Sequence, residues 1–187
     1  MHRLIEAAGR RGEFPDWAKL TERRRGHVER VAALMSGWAE ELGLAEDERI
    51  RWRAAGRLHD ALKDAATTEL RELVAQAEWP EPLLHAPAAA ERLARDGVAD
   101  EEFLLAIAYH SVGHPSFREL GEHLYLADFL EPGRAEDGLR EELRRVMPGE
   151  RTTVLRRVIR SRIEHQLDIG CTILPETVEF WNRTVAA

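Results

Sequence analysis

The chain has 187 residues, 44% of them hydrophobic and 33% charged, which suits one compact soluble domain with its own core and is too short for two comfortable ones. Its net charge of -7 and pI near 5.7 exclude a general nucleic-acid or anionic-membrane binder, while a small phosphorylated ligand can still be served by a local basic cluster. Cys171 is the only cysteine, so neither an intrachain disulfide nor a thiolate-rich zinc site can form.

Arg10, Arg11 and Glu13 interrupt the amino-terminal stretch, so it lacks the apolar core of a signal peptide, and no apolar run approaches membrane-spanning length. A cytoplasmic protein is expected. Helical periodicity runs through almost every segment, and nothing sustains period-two alternation. Asp16 is the expected cap of a long first helix with Leu20, His27, Val31, Leu34 and Trp38 on its apolar side and Gly43 past its end. A second helix is expected from about Asp47 to Lys63, carrying Ile50, Trp52, Ala55 and Leu58 toward the adjacent pair His59-Asp60. Thr67 or Thr68 starts a short helix ending near Trp79-Pro80.

The segment from about Glu81 to Arg95 brings His85 among small residues and closes at Gly97. Asp100 caps a helix to His110, broken by Gly113 and Pro115, and Ser116 with Glu119 forms a capping-box pattern for a helix carrying Leu124, Tyr125 and Asp128 as far as Pro132-Gly133. Amphipathic stretches follow at Leu139 to Val146, Thr152 to Leu167 and Pro175 to Trp181. The expectation is one all-α domain of about nine helices, without repeats, low-complexity tracts or linkers.

His27, His59, Asp60, His85, His110 and Asp128 fall on or beside the apolar faces of five of these helices. One buried histidine is usually a satisfied core residue. Four histidines and two aspartates would leave many buried polar groups wanting partners unless something common, such as a metal, satisfies them. All donors are nitrogen or oxygen, which suits iron, manganese, cobalt or zinc, and six ligands around a central aspartate suit two ions bridged by Asp60. Only Lys19 and Lys63 among the 27 basic residues are lysines, and Lys63 stands one turn beyond His59 as a compact charge suited to a phosphate oxygen. The runs Arg23-Arg24-Arg25 and Arg156-Arg157 read most simply as solvated helix faces. Trp17, Trp38, Trp52 and Trp79 read as core, and Trp181 leaves adenine stacking open. His114 sits in the loop after His110, and His2, His123 and His165 show no partner pattern.

The order His27, His59-Asp60, His85, His110, Asp128 resembles the HD superfamily of metal-dependent phosphohydrolases. More narrowly, Ala55-Gly56-Arg57-Leu58-His59-Asp60-Ala61-Leu62-Lys63, Ala106 to Gly113, and Leu126-Ala127-Asp128-Phe129-Leu130-Glu131-Pro132-Gly133-Arg134 resemble the YqeK family of bacterial symmetrical diadenosine tetraphosphate hydrolases, over about His27 to Asn182. The resemblance implies a single HD domain over residues 1–187, with a core at about 16–170 and a tail at 171–187 that borders the substrate. It implies that His27, His59, Asp60 and Asp128 hold a first iron, and that Asp60, His85 and His110 face a second metal position or contact phosphate. Lys63 and Arg134 would hold phosphate oxygens, Ser111 and Gly113 would lie at the pocket mouth, and Pro175 and Thr177 stand in a tail resembling the family's His-Pro-x-Thr motif.

Ser111-Val112 replaces two threonines, Ala86 replaces a glycine and Leu174 replaces the tail's histidine. The expected reaction is hydrolysis of diadenosine tetraphosphate to two ADP by a hydroxide held on the metal, with Asp60, Lys63 and Asp64 as the catalytic residues. Another HD phosphohydrolase acting on nucleotides or phosphodiesters, and a non-catalytic nucleotide-sensing module, remain as alternatives. Iron is the expected metal, as one or two ions, with manganese, cobalt or zinc as substitutes. A nucleotide is the expected partner, without nucleic acid or membrane, and a homodimer is left open.

Overall fold

A computed structural model describes residues 1–75, 78–133 and 138–186. Ten α-helices form among these residues and no strand: α1 (Arg3–Glu6), α2 (Glu22–Glu41), α3 (Glu46–Leu58), α4 (Thr67–Leu73), α5 (His85–Arg95), α6 (Glu101–Tyr109), α7 (Glu119–Leu130), α8 (Gly138–Val146), α9 (Arg151–Asp168) and α10 (Pro175–Ala186). A π-helical turn at Ala7–Arg11 continues α1, and a 3₁₀ turn at Glu81–Leu83 precedes α5. Nine of the ten match the helices expected from sequence, and α1 is the addition. No helix among the described residues is long and apolar enough to cross a membrane.

The long helix α2 starts later than expected. Thr21, not Asp16, is its cap, with the Thr21 hydroxyl accepting from the Arg24 backbone N–H at 3.3 Å. Residues 16–20 instead tie the loop down: the Trp17 indole N–H donates to Asp96 at 2.7 Å and the Lys19 N–H donates to the Ala61 carbonyl at 2.7 Å. From Thr21, α2 buries His27, Val28, Val31, Ala32, Met35, Trp38 and Ala39 along one face.

Helix α3 packs that face at very short range. A Cβ built on Gly56 would stand 2.6 Å from the Ala32 Cα and 2.8 Å from its nitrogen, so only glycine lets the two backbones touch here. The contact lies one turn before His59 and fixes how far that residue stands from α2.

Helix α3 ends at Leu58 rather than Lys63. Beyond it the chain tightens into turns, with Ala61 N–H donating to Leu58 O at 3.1 Å and Lys63 N–H to Asp60 O at 2.9 Å. Asp60 lies in these turns and is buried. Helix α7 runs through the middle, buried at Leu120, Gly121 and every residue from His123 to Leu130, which explains why its sequence is apolar on all sides. It packs on α2, α3, α6, α8 and α9 and presents Asp128 near its end. The Ser116/Glu119 capping box does not form: α7 begins at Glu119 after Arg118, and the Ser116 N–H donates to His114 Nδ1 at 3.1 Å.

Candidate metal centre

The six residues expected as ligands converge in the interior, none more than 6% exposed. Asp60 is the hub, and its two oxygens face different partners. Oδ2 lies 3.6 Å from His27 Nε2 and 3.6 Å from His59 Nε2, while Oδ1 lies 3.1 Å from His85 Nε2 and 3.4 Å from His110 Nε2. Asp128 Oδ1 stands 3.3 Å from His27 Nε2, and His27 and His59 bring their Nε2 atoms within 3.3 Å. A carboxylate placed between two imidazole pairs has the form of a bridge between two cation positions.

The tautomers follow from the backbone. His59 Nδ1–H donates to Gly56 O at 2.8 Å, His110 Nδ1–H to Ile107 O at 2.8 Å, and His85 Nδ1–H to Pro82 O at 2.9 Å, each three residues back. A carbonyl only accepts, so the proton sits on Nδ1 and the Nε2 lone pair faces the centre. His27 is anchored differently, its Nδ1 lying 3.3 Å from the buried Glu131 carboxylate. Glu131 in turn accepts from Arg30 Nε at 2.6 Å and Gly133 N–H at 2.8 Å. Such outer partners fix ring orientation and raise ligand basicity.

Protonation states point the same way. Burial holds the His59 imidazole down to about 3 and also lowers His85, in both cases against the pull of Asp60. Burial alone would raise Asp60; the surrounding imidazoles outweigh it and keep its carboxyl well below the usual range. Neutral imidazoles beside an ionised carboxylate are the forms that bind a cation.

The donor spacing also fits. Bonds of about 2.1 Å to nitrogen and oxygen place neighbouring donors about 3.0 Å apart at right angles and about 3.4 Å apart in a tetrahedron. The separations above run from 3.1 to 3.6 Å. His27, His59 and Asp60 form one group able to hold an ion, and Asp60, His85 and His110 form another.

A cavity of about 520 Å³ opens over this floor, lined by Asp60, Lys63, His85, His110, Ser111 and Asp128 among others. Lys63 Nζ donates to Pro82 O at 3.2 Å and lies 3.2 Å from His85 Nδ1, and the Ser111 hydroxyl donates to His110 Nε2 at 3.0 Å. Other expected residues sit elsewhere. The Asp64 carboxylate accepts from both the N–H and the hydroxyl of Thr21 at 2.8 Å, where it clasps the start of α2. Gly113, at φ 82°, is buried beneath Phe180, whose ring would be 2.2 Å from a Cβ there. Thr177 is buried and donates to Val112 O at 2.9 Å, and Pro175 is exposed at the start of α10. Arg134 lies outside the described residues.

Three arginines that the sequence does not assign to the site reach this cavity. Arg24 Nη1 donates to Asp60 Oδ2 at 2.7 Å, so the middle of the Arg23-Arg24-Arg25 run is no solvated face. Arg162 on α9 donates to Asp128 Oδ2 at 3.0 Å and to Ser111 O at 2.7 Å, and Arg140 on α8 lines the wall with His165. In a chain with so many arginines, neither periodicity nor spacing marks these three. His123 is a core residue, its ring 4.5 Å from that of Trp52 and its Nδ1–H donating to Glu119 O at 2.7 Å. Trp38 and Trp52 are buried core as expected.

A sequence model of the HD domain matches residues 24–147. The chain is 30% identical over 176 residues to a symmetrical bis(5'-nucleosyl)-tetraphosphatase of Bacillus subtilis, spanning 90% of this chain and 92% of that protein. A protein of the same name from Halalkalibacterium halodurans is 27% identical over 88% of this chain and 90% of its own length. Among solved structures, an HD superfamily hydrolase from Clostridium acetobutylicum, described as involved in NAD metabolism, superimposes with a TM-score of 0.77 at 26% identity, covering 89% of this chain and 91% of that one. Sequence relatives of matching length and a shared helical architecture thus agree with the paired imidazoles around Asp60, and the chain belongs to the HD-domain family, in its YqeK branch.

Proposed function

We propose that this protein is a metal-dependent hydrolase of dinucleoside polyphosphates that cleaves diadenosine tetraphosphate symmetrically to two ADP. One observation carries the reading: Asp60 divides its two oxygens between two imidazole pairs at the floor of a cavity walled by Lys63, Arg24, Arg140 and Arg162. His27, His59, Asp60 and Asp128 would hold one ion, and Asp60, His85 and His110 a second. Iron fits this donor set, as do manganese, cobalt and zinc. A divalent ion bound here acidifies water to near neutrality and draws charge from phosphate oxygens.

The protein's own groups position and neutralise. Lys63 and Arg162 both line the cavity and take up charge on the phosphate chain. Arg162 also braces Asp128 and the Ser111 carbonyl, so α9 holds the carboxylate and the cavity rim together. The four anchored Nδ1–H groups keep every Nε2 turned inward. A nucleotide substrate is in keeping with work in the cytoplasm, and residues 1–187 act as one domain in this reading.

Metal analysis of protein purified without chelators or added metals, followed by product identification from diadenosine tetraphosphate, tests the reading. Bound transition metal and ADP as sole product are expected. Products of ATP and AMP, or faster turnover of nucleoside mono- or triphosphates, refute the symmetrical tetraphosphate assignment. Asp60→Ala should lose both metal and activity, and full turnover in that variant ends the proposal.

A further inference from the structure

Beside the cavity over Asp60 lies a second, of about 400 Å³, lined by Arg23, Arg24, His27, Arg30, Glu131 and Arg140 together with Gly133. Both volumes fall within the roughly 300–1,000 Å³ of small-molecule sites. Arg24 and Arg140 line both cavities, and His27, with Nε2 3.3 Å from Asp128 Oδ1, stands between the second cavity and the metal-ligand cluster. The two pockets therefore flank one centre. Among the described residues, four guanidinium groups face the second pocket against one carboxylate, Glu131, which is 3% exposed and already held by Arg30, Gly133 and His27. Such a concentration of positive charge in a chain of net charge -7 selects for a phosphate-bearing ligand, which arginine grips through its fork of donors.

Symmetrical cleavage adds a geometric demand. Water adds to one of the two central phosphorus atoms and the bridging oxygen leaves with the other, so the scissile bond lies at the midpoint and a nucleoside diphosphate unit extends on each side. We infer that the groove between Arg23 and Arg30 binds the second nucleoside diphosphate half of the substrate, while the cavity walled by Lys63 and Arg162 binds the first. Arg24 and Arg140, common to both, sit beside the central phosphates. This assignment rests on the tetraphosphate reading above.

The test uses metal-loaded protein and ADP as the probe, because ADP binding is read without turnover. Calorimetric titration should find two ADP per wild-type chain and one per chain of Arg23→Glu, a reversal at an exposed position. Arg23→Glu should raise KM for diadenosine tetraphosphate about tenfold with kcat within about twofold, and Arg23→Lys should restore most of the loss. One ADP per wild-type chain, or an Arg23→Glu protein with wild-type stoichiometry and KM, overturns the inference. Wild-type protein that binds two ADP yet leaves diadenosine tetraphosphate intact supports the second subsite and refutes the proposed substrate, so the two failures are told apart.

Discussion

Replacing Gly56 by alanine sets two opposite forces against each other. Alanine is the better helix former by about 1 kcal/mol, so on propensity alone Gly56→Ala stabilises α3. The new Cβ, however, would stand 2.6 Å from Ala32 Cα and 2.8 Å from its nitrogen, and both neighbours are backbone. Relieving that overlap to an ordinary contact of about 3.6 Å pushes α2 and α3 apart by about 1 Å. Overpacking of this kind costs about 1–3 kcal/mol, enough to cancel the propensity gain and leave a net loss of up to about 2 kcal/mol. The same displacement separates His27 from His59, whose Nε2 atoms now stand 3.3 Å apart, whereas metal–ligand distances tolerate about 0.2 Å. Urea unfolding of the metal-free protein and competitive metal titration read the two effects separately. The expected outcome is a lower midpoint with an unchanged m-value, and metal affinity reduced by a factor of about 10 to 100. A Gly56→Ala protein that is more stable than wild type and binds metal equally well would refute the claim that this backbone contact sets the ligand spacing.

Lys63→Ala should leave bound metal in place and lower kcat, since Lys63 faces phosphate in our reading; loss of metal would contradict that role. Glu131→Gln removes the charge that anchors His27 Nδ1, and metal affinity should fall about 10- to 100-fold while the far-ultraviolet dichroism stays unchanged. Burial, assisted by Arg151, holds the His123 imidazole down to about 4, below its unfolded value of about 6.5. Above pH 6.5 both states are neutral and the group has no effect; between 6.5 and 4 only the unfolded chain takes the proton, so stability drops as pH falls. From pH 7 to 5 the loss from His123 is about 2 kcal/mol, and His123→Phe should remove that part of the slope in urea titrations at the two pH values. An identical slope in the variant would show that His123 titrates normally in the fold.

Helices with a sustained apolar face were readable in the sequence, and so was the metal-ligand set, because unusual residue types on apolar faces stand out against a leucine and alanine background. Helix α1 was not, since four residues and a π-turn carry too little periodicity to register. Two capping assignments failed although Asp16 and Ser116 had suitable chemistry: α2 starts later, at the Thr21 cap, with the preceding loop held by Trp17 on Asp96, and the Ser116 N–H is taken locally by His114 two residues back. The early end of α3 was hidden because residues 59–64 keep an apolar pattern while tightening into turns. Arg24 reads as a solvated face, and Arg140, Arg162 and Glu131 carry no site signal, because a charged residue looks the same in sequence whether it meets solvent or the interior. Only the folded contacts distinguish them: Arg24 meets Asp60, Arg162 meets Asp128, Glu131 meets His27, and Arg140 donates to Phe129 O beside the cavity.

The burial of α7 and α9 differs in a way that bears on how the protein comes apart. Asp128 rides on a helix enclosed along nearly its whole length, whereas α9 buries only Val154, Leu155, Val158 and Ile159, leaving the stretch with Arg162 and His165 without a buried apolar residue. Segments with few such contacts open first. On warming, the chain should therefore surrender its grip on nucleotide while the ion is still seated, and cooling should restore turnover without any fresh supply of metal.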